Sequence, residues 1–394
     1  MALAVSLRGC DELIPQDEWT RKLVRSEATG VPLRIKLGLD PTAPDIHIGH
    51  TVVLNKMRQL QDLGHTVIFL IGDFTTLIGD PSGRNSTRPP LTAEQIKVNA
   101  ETYYRQASLV LDPVKTEIRY NSEWCDPLGA RGLIQLSSRY NVARMMERND
   151  FHDRFHAGTP ISVHEFLYPL LQGYDSVALK SDLELGGTDQ KFNLLMGRHL
   201  QQEYGQEPQC ILTMPLLEGL DGIEKMSKSK NNYIGISEDP NSMFAKVLSV
   251  SDVLMWKWYT LLSFQSEAYI AALKAEVADG RNPKDAKVAL AKEITARFHS
   301  AAAADAAEQD FINRSKGGVP DEIAEVTLSG APLGIGALLK ATGMAPSGSE
   351  ASRLIDGGGV RVDSSVVSDK ALKLPAGVYV VQVGKRKFVR VTLS

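Results

Sequence analysis

The pattern of residues 33–71 constrains the fold of this 394-residue chain more than any other feature. Two short apolar runs, LRIKLGL at 33–39 and VIFLI at 67–71, are bounded by turn residues, as buried parallel strands usually are. Between them lies a segment with apolar residues at helical spacing: Val53, Met57, Leu60 and Leu63. A strand–helix–strand unit of this length predicts a parallel sheet with right-handed crossovers.

Two further segments extend the predicted sheet. VALKSDLEL at 177–185 is a third strand candidate and CILTM at 210–214 is a fourth. Ligands of such sheets bind beyond the carboxyl ends of the strands. We therefore expect one crevice to be lined by the loops that follow the four strands, after Leu39, Ile71, Leu185 and Met214.

The remaining chain changes character twice. From about residue 239 to 325 it is helical and Ala-rich, and the last segment has Gly-rich turns and alternating strands (VYVVQV and KFVRVTL). The predicted fold class is α/β, with a parallel-sheet domain at 1–232, an α-helical domain at 233–325 and a small α+β module at 326–394.

Composition excludes several classes of protein. No apolar run approaches the roughly 20 residues of a membrane-spanning helix, and the N-terminal segment lacks the regions of a signal peptide. The three cysteines are odd in number and widely spaced, so they predict neither a disulfide framework nor a zinc site. We expect a cytosolic protein with no membrane partner and no metal site of its own.

Charge is distributed unevenly along the chain. The net charge is −3, but residues 331–394 contain nine Lys or Arg against four acids, which leaves this segment at +5 and the rest at −8. A small basic module on an acidic body is typical of a protein that holds a polyanion at one end. A solvated charged surface explains the charge alone equally well.

The segment DPTAPDIHIGH at 40–50 lies between the first predicted strand and helix. A helix start offers unpaired N–H groups and the positive end of the helix dipole, which attract phosphate. His47 and His50 face one side, and Gly49 removes a side chain where a nucleotide would approach. Two structural histidines would explain the string equally well, but its place between strand and helix favours a function.

The segment KMSKS at 225–229 lies in a polar, Gly-flanked loop after the last predicted strand. Taken alone, such a run is usually a solvated loop. Here Lys225 and Lys228 place two ammonium groups three residues apart, where they could close over a developing pyrophosphate. Neutralising charge that grows in the transition state is the main source of catalysis in such transfers.

In this order and separation, HIGH and KMSKS resemble the two signatures of class I aminoacyl-tRNA synthetases. The resemblance implies a Rossmann-type catalytic domain, ATP as a substrate with Mg²⁺, and no tightly bound cofactor. It also implies that an amino acid's carboxylate attacks the α-phosphate of ATP. The aminoacyl group is then transferred from the adenylate to the terminal adenosine of tRNA, and AMP leaves.

The amino acid is indicated by a second helix. Tyr168, Gln172 and Asp175 stand at i, i+4 and i+7, which places them on one face of an otherwise apolar helix. Ser162 and Glu165 form a predicted capping box at its start, and Pro169 should cost a backbone hydrogen bond and bend it. Polar groups in such surroundings need partners, so a binding pocket is favoured over a hydrated stripe.

This Tyr-x-x-x-Gln-x-x-Asp run resembles the pocket helix of tyrosyl-tRNA synthetases. The likeness covers nearly the whole chain, through IGDFTTLIGDPSGRNSTRPP, YNSEW and GGTDQKFN. It implies L-tyrosine and tRNA(Tyr) as substrates, with Asp175 accepting a hydrogen bond from the phenol hydroxyl. It also implies that the α-ammonium group of tyrosine is held by Tyr168, Gln172 and Asp80. Gln190 would lie near the carboxylate of tyrosine.

The same resemblance implies an ATP site. The adenosine contacts would be Gly187 and Asp189, and the phosphate contacts Thr42, His47 and His50, with Asp40 and Gly49 in the same motif. Lys225 and Lys228 would follow the pyrophosphate. Arg84 and Arg88 would add positive charge nearby.

One position departs from the better-known branch of that family. Lys36 stands where that branch has a second Tyr touching the phenol hydroxyl, as in the bacterial branch whose motif begins KLG-x-DPTAPD. Lys36 is therefore kept as a candidate substrate-binding residue of undecided use.

The basic tail resembles the RNA-binding module first seen in the fourth protein of the small ribosomal subunit, through SEASRLIDGGGVRVD and KRKFVRV. The candidate tRNA contacts are basic residues of these segments: Arg353, Lys385, Arg386, Lys387 and Arg390.

The family likeness also implies that residues 233–325 form an anticodon-stem domain. It also implies a homodimer, with an insertion at about 100–165 at the interface.

Three alternatives remain at this stage. A tryptophanyl-tRNA synthetase shares the architecture but usually lacks the basic tail and this polar helix face. A smaller nucleotidyltransferase would leave KMSKS and the tail unexplained. A non-catalytic RNA-binding paralogue would more often have lost signature residues.

Overall fold

The computed structural model describes residues 2–42, 46–82, 91–315, 323–384 and 387–394. The chain separates into two compact units, Met1–Ala301 and Ala302–Ser394. Among the described residues, no helix combines the length and the apolar character that crossing a membrane requires.

One sheet organises the first unit. Its strands in the described ranges are β1 (Glu12–Ile14), β2 (Arg34–Leu39), β3 (Thr66–Ile71), β4 (Thr116–Tyr120), β5 (Leu183–Gly187) and β6 (Cys210–Met214). Their order is β1-β6-β5-β2-β3-β4, with β1 antiparallel to β6 and all other neighbours parallel. The predicted α/β class with a parallel sheet is confirmed.

Helices follow and flank the strands of this unit. They are α1 (Ala2–Leu7), α2 (Gln16–Thr29), α3 (Ile48–Asp62), α4 (Ala93–Ala107), α5 (Ser122–Ser137), α6 (Val142–Met145), α7 (Asn149–His156), α8 (Leu167–Leu179), α9 (Lys191–Glu203), α10 (Pro240–Ser249), α11 (Asp252–Leu262), α12 (Glu267–Ala278) and α13 (Pro283–Phe298). The interval of about 100–165, for which an insertion is predicted, contains α5, α6 and α7 and also β4, the edge strand of the sheet.

The order of the strands locates the crevice. Strand β2 lies at the centre, with β3 on one side and β5 on the other, so the winding direction reverses beside it. Both β2 and β3 are largely buried, which explains why their sequences read as apolar runs. Ligands of open parallel sheets bind beyond the carboxyl ends of strands at such a reversal.

Two sequence predictions need correction. The third strand was predicted at 177–185, but Val177–Leu179 ends α8, and β5 begins only at Leu183. The apolar run misled because Val177 and Leu179 belong to the buried face of the helix, which Lys180 ends in the left-handed conformation (φ 50°).

The prediction that Pro169 costs its helix a backbone hydrogen bond is wrong. Helix α8 begins at Leu167, directly after a 3₁₀ turn at Val163–Phe166, so Pro169 stands in the first turn. Backbone N–H groups of a first turn have no partner within the helix, so none is lost. The predicted start signal is present: Glu165 Oε1 accepts a hydrogen bond from the Ser162 backbone N–H at 2.8 Å.

The second unit contains the small α+β module predicted for residues 326–394, and it also includes most of the helix that precedes that module. Its helices are α14 (Ala301–Ser315), which starts at the boundary, α15 (Ile335–Ala341) and α16 (Gly348–Asp356). Its strands in the described ranges are β7 (Ala324–Leu328), β8 (Leu333–Gly334), β9 (Val360–Val362), β10 (Ser365–Val366), β11 (Lys373–Leu374), β12 (Gly377–Val383) and β13 (Lys387–Leu393). Strands β10-β9-β12-β13-β7 form one sheet, whose core includes Leu338, Val381 and Val391.

Candidate active site

A cavity of about 270 Å³ opens at the carboxyl ends of the central strands. Residues from the ends of β2, β3, β5 and β6 line it, among them Leu39, Gly72, Gly187 and Met214. The prediction that the four loops share one crevice is confirmed. Most of the candidate site residues also line it: Asp40, Thr42, His47, Gly49, His50, Asp80, Tyr168, Gln172, Asp175, Gly187, Asp189, Gln190 and Lys225.

The two histidines are fixed at the start of α3. His47 caps the helix, and its Nδ1 accepts a hydrogen bond from the Gly49 backbone N–H at 3.2 Å. The Nδ1 atom of His50 accepts one from the His47 N–H at 3.3 Å, and the ring centroids lie 3.9 Å apart. With Nδ1 accepting, a neutral imidazole carries its proton on Nε2. Each ring therefore has an N–H to offer.

Both rings are neutral at physiological pH. Burial is the main cause that lowers the pKa of His47 to about 2, and the nearby His50, Lys228 and Lys225 contribute to that shift in the same direction. Burial and the charge of Lys225 lower the pKa of His50 to about 4. The pair can therefore donate hydrogen bonds to phosphate oxygens but supplies no positive charge.

Position 49 must be glycine because the ring of His47 lies where a side chain there would be. A Cβ added there would lie 2.9 Å from the ring atoms Cε1 and Nδ1 of His47. Sequence reasoning predicted that the missing side chain makes room for a nucleotide. In the structure the space is needed first by His47.

Lys225, at the start of the KMSKS segment, forms an ion pair across the cavity. Its Nζ lies 2.9 Å from Asp189 Oδ2, after β5. Asn232 holds the loop in shape, because its side chain accepts from the Ser227 N–H at 2.8 Å and donates to Asp221 Oδ2 at 2.7 Å. The loop thus already lies over the side of the crevice where the candidate adenosine contacts stand.

The remaining cationic candidates differ in position. Lys228 begins a 3₁₀ turn, Lys228–Lys230, and does not line the cavity among the described residues. Its charge nevertheless lowers the pKa of both histidines. Arg84 and Arg88 lie outside the described residues.

Asp175 is a buried carboxylate with two side-chain donors. Trp124 Nε1 donates to Oδ1 at 2.8 Å, and Asn121 Nδ2 donates to Oδ2 at 3.4 Å. Burial raises the pKa of Asp175 to about 7, although the charge of Lys36 and the Trp124 hydrogen bond oppose that shift. A further hydroxyl donor would therefore stabilise the ionised form.

Trp124 and Asn121 were not singled out from the sequence. They follow β4 within YNSEW, which entered only as part of the family resemblance. Their roles depend on bringing the end of β4 beside α8, and no local pattern signals that contact.

Tyr168 is oriented by Asp40. The Tyr168 hydroxyl donates to Asp40 Oδ2 at 2.9 Å, and Thr75 Oγ1 donates to Asp40 Oδ1 at 2.8 Å. Gly72 permits this approach, since a Cβ there would lie 2.1 Å from Asp40 Oδ1. Burial and the carboxylates of Asp40 and Asp80 raise the pKa of Tyr168 well above its usual value, so it stays protonated.

Asp80 and Gln190 are joined directly. Gln190 Nε2 donates to Asp80 Oδ2 at 2.8 Å, and the Ser82 N–H donates to Asp80 Oδ1 at 2.8 Å. Arg148, nearly buried, reaches Ser82 Oγ at 2.7 Å and Asp80 at 3.6 Å. Sequence reasoning missed Arg148, which no motif contains. Together Asp40, Asp80 and Asp175 give this side of the cavity a negative character suited to an ammonium group.

Lys36 does not line the cavity among the described residues. Its ammonium is fully buried, 2.9 Å from Glu184 Oε1 and 2.8 Å from Ser176 Oγ. The structure therefore gives no support to a substrate contact by Lys36, the candidate substrate-binding residue whose use the sequence left undecided. The side chain points into the layer between the sheet and α8, where Glu184 on the neighbouring strand neutralises it.

The candidate RNA contacts lie in the second unit. Arg353 is on α16 with its side chain 80% exposed. Lys387 starts β13 and is exposed, and Arg390 on the same strand pairs with Glu325 at 2.7 Å. Lys385 and Arg386 lie outside the described residues.

No group of three or more His, Cys, Asp or Glu side chains in the described ranges is arranged to hold a metal ion.

Comparison with known families gives two matches. The family model described as tRNA synthetases class I (W and Y) matches residues 28–315, and the S4 domain model matches residues 337–378. The first covers most of the unit that holds the cavity, and the second lies within the basic module.

Comparison with curated proteins gives relatives over the full length. The tyrosine–tRNA ligase of Cupriavidus pinatubonensis is 74% identical over 393 residues, covering 100% of this chain and 95% of the relative. That of Ralstonia nicotianae is 73% identical over 392 residues, covering 100% of both.

Solved structures share the fold at lower identity. The Archaeoglobus fulgidus tyrosyl-tRNA synthetase complexed with L-tyrosine has a TM-score of 0.61 at 22% identity, covering 77% of this chain and 98% of that chain. A C-terminally truncated Aspergillus nidulans mitochondrial tyrosyl-tRNA synthetase has a TM-score of 0.67 at 20% identity, covering 79% and 93%.

Proposed function

This chain belongs to the class I tRNA synthetases and, within them, to the tyrosine–tRNA ligases, and from that premise we propose how its cavity performs the reaction. L-tyrosine reacts with ATP to give tyrosyl-adenylate and pyrophosphate, and tyrosine then passes to the 3′ end of tRNA(Tyr). One observation carries the proposal: the two signature histidines, Lys225 and Asp175 line the same cavity.

Asp175 selects tyrosine in this proposal. Its buried carboxylate accepts a hydrogen bond from the phenol hydroxyl, beside those from Trp124 and Asn121. Phenylalanine would leave the charge without that donor, and sites built to bond a hydroxyl reject the analogue that lacks it. Tyrosyl-tRNA synthetase is the standard example of this effect.

The α-ammonium group of tyrosine is held at the negative side of the cavity. The acceptors there are supplied by Asp80, Tyr168 and Gln172. Gln190 is hydrogen-bonded to Asp80 and lies near the carboxylate of the substrate tyrosine. This arrangement leaves the carboxylate free to attack the α-phosphate, so that orientation contributes to the rate.

ATP occupies the part of the cavity between α3 and the KMSKS loop. The Nε2–H groups of His47 and His50 donate to phosphate oxygens, while Gly187 and Asp189 meet the adenosine. Lys225 leaves Asp189 when the nucleotide arrives and follows the pyrophosphate with Lys228. Preorganised donors of this kind act on charge that develops in the transition state.

Thr42, Arg84 and Arg88 complete the proposed phosphate contacts. Mg²⁺ enters with ATP, held chiefly by its phosphates. No covalent enzyme intermediate is part of the scheme.

The second unit serves tRNA binding. The S4 match and the excess of Lys and Arg in residues 331–394 support this assignment. Residues 233–325 are proposed to contact the anticodon stem. The protein is proposed to work in the cytoplasm as a homodimer, with residues of about 100–165 at its interface.

The test is transfer of labelled tyrosine to bacterial tRNA, measured together with tyrosine-dependent ATP–pyrophosphate exchange. Both activities are expected. Tryptophan-dependent exchange without tyrosine-dependent exchange would contradict the tyrosine assignment, and tRNA binding without any exchange would indicate a non-catalytic paralogue.

A further inference from the structure

A completely buried polar network lies directly beneath the cavity. It spans β2, β5, α8 and the residue before β6. Its members are Lys36, Ser176, Glu184 and Gln209, each at most 1% exposed. Nothing in the reaction scheme above uses Lys36, Ser176, Glu184 or Gln209.

Glu184 is the centre of this network. Its Oε1 accepts from Lys36 Nζ at 2.9 Å, and its Oε2 accepts from Gln209 Nε2 at 2.6 Å and from Ser176 Oγ at 3.0 Å. Lys36 is held in turn, because its Nζ also donates to Ser176 Oγ at 2.8 Å. The carboxylate and the ammonium thus have defined partners on three elements and on the residue before β6.

Helix α9 encloses the network tightly. A Cβ added to Gly197 would lie 2.5 Å from Gln209 Nε2 and Ser176 Oγ and 3.1 Å from Glu184 Oε2. The side chains therefore have no room to change partners without moving the helix.

The network touches the cavity through Gln172. Gln172 Nε2 donates to Glu184 Oε1 at 3.4 Å, and the Gln172 backbone carbonyl lies 3.5 Å from Lys36 Nζ. An ionised carboxylate only accepts hydrogen bonds, so Glu184 requires the NH₂ end of the Gln172 amide to face it. The Gln172 Oε1 atom is consequently directed away, and it has no hydrogen-bond partner among the described residues.

We propose that the buried Lys36–Glu184 ion pair positions the amino-acid site: Glu184 fixes the orientation of the Gln172 amide so that its oxygen accepts from the α-ammonium group of tyrosine, and Lys36 holds Glu184 in place. Lys36 and Glu184 are positioning residues that never touch the substrate. The inference rests on the proposed function, since it takes the cavity as the tyrosine site.

Energetics favour a functional role for the pair. Removing two charges from water is costly, and replacing a buried ion pair with apolar residues of similar volume is often neutral or stabilising. Stability alone therefore does not account for an ion pair at the centre of the sheet. The hydrogen bond between Glu184 and the cavity-lining amide of Gln172 indicates instead that the ion pair has a functional role.

The test uses full-length variants in tyrosine-dependent ATP–pyrophosphate exchange. The variants are Lys36→Met/Glu184→Met, which leaves no buried charge unpaired, and the milder Ser176→Ala. The double variant should raise the KM for tyrosine about tenfold or more, because a hydrogen bond to a charged group loses its orientation. The KM for ATP should change less than twofold. Ser176→Ala should raise the tyrosine KM by roughly 2- to 5-fold.

A matched control is Lys22→Met. Lys22 is also nearly buried and ion-paired, with Asp182 at 3.1 Å, but neither residue lines the cavity within the described ranges. This variant should leave both KM values unchanged.

A coupling measurement shows whether the pair acts through Gln172. In a Gln172→Met background, adding Lys36→Met/Glu184→Met should cause no further rise in the tyrosine KM. A full additional rise would overturn the proposal. A wild-type tyrosine KM in the double variant or in Ser176→Ala would also overturn it, and so would parallel shifts in the KM values for tyrosine and ATP. Wild-type protein without tyrosine-dependent exchange would overturn the proposed function as well, so the two failures are distinguishable.

Discussion

Tyrosine affinity should fall as pH is lowered from 8 to 6, because of the state of Asp175. In the ligand-free cavity burial raises the pKa of this carboxyl to about 7. The phenol hydroxyl donates to the ionised form, so bound tyrosine lowers that pKa. Binding therefore approaches full strength only near pH 8 and weakens as the pH falls through 7, because a growing share of Asp175 must first lose a proton.

The magnitude follows from the same pKa. With a free-site pKa of about 7, roughly nine-tenths of the sites are ionised at pH 8 and roughly one-tenth at pH 6. The dissociation constant for tyrosine should then rise roughly tenfold over that range, equivalent to about 1.4 kcal/mol.

The two histidines do not obscure this titration. The pKa of His47 is lowered to about 2 and that of His50 to about 4, so both rings stay neutral from pH 6 to pH 8. A change in tyrosine affinity within this window therefore reports on Asp175.

The assay is equilibrium binding of tyrosine at pH 6, 7 and 8, with Asp175→Asn as the matched variant. The wild-type protein should show the loss of affinity and the variant should not, since an amide does not titrate. Flat wild-type affinity, or the same slope in the variant, would refute the assignment of Asp175.

Three further outcomes are expected. His50→Ala should lower the rate of pyrophosphate exchange by roughly 100-fold, because one preorganised donor is lost; the exposed His299→Ala is the control, and equal rates would contradict the phosphate role. Lys225→Ala should also lower kcat by roughly 100-fold while the tyrosine KM stays within about twofold, and a selective rise in the tyrosine KM would count against a pyrophosphate contact. Deletion of residues 321–394 should abolish tRNA charging and preserve exchange, and charging at the full rate would exclude the basic module from tRNA binding.

Much of the crevice could be predicted because local patterns report it directly. Strands β2 and β3 are buried and read as apolar runs, and the signature segments lie where the chain leaves a strand. The convergence of the four loops after β2, β3, β5 and β6 followed from the rule that parallel strands end at one edge. The polar face of α8 also followed from helical spacing.

Other features depend on contacts that spacing does not encode. The apolar run at 177–185 spans the end of α8 and the start of β5, and only the turn at Lys180 separates them. Trp124 reaches Asp175 from another element, and the buried partner of Lys36 is Glu184, 148 positions away along the chain. The lowered pKa of the histidines likewise arises from burial, which no motif shows.

The most direct measurement is a crystal structure of the protein with a non-hydrolysable tyrosyl-adenylate analogue. The phenol oxygen is expected within hydrogen-bonding distance of Asp175, and the phosphate-like group beside Nε2 of His50. An analogue bound with its phenol ring away from Asp175, or with its phosphate-like group remote from the start of α3, would contradict this expectation.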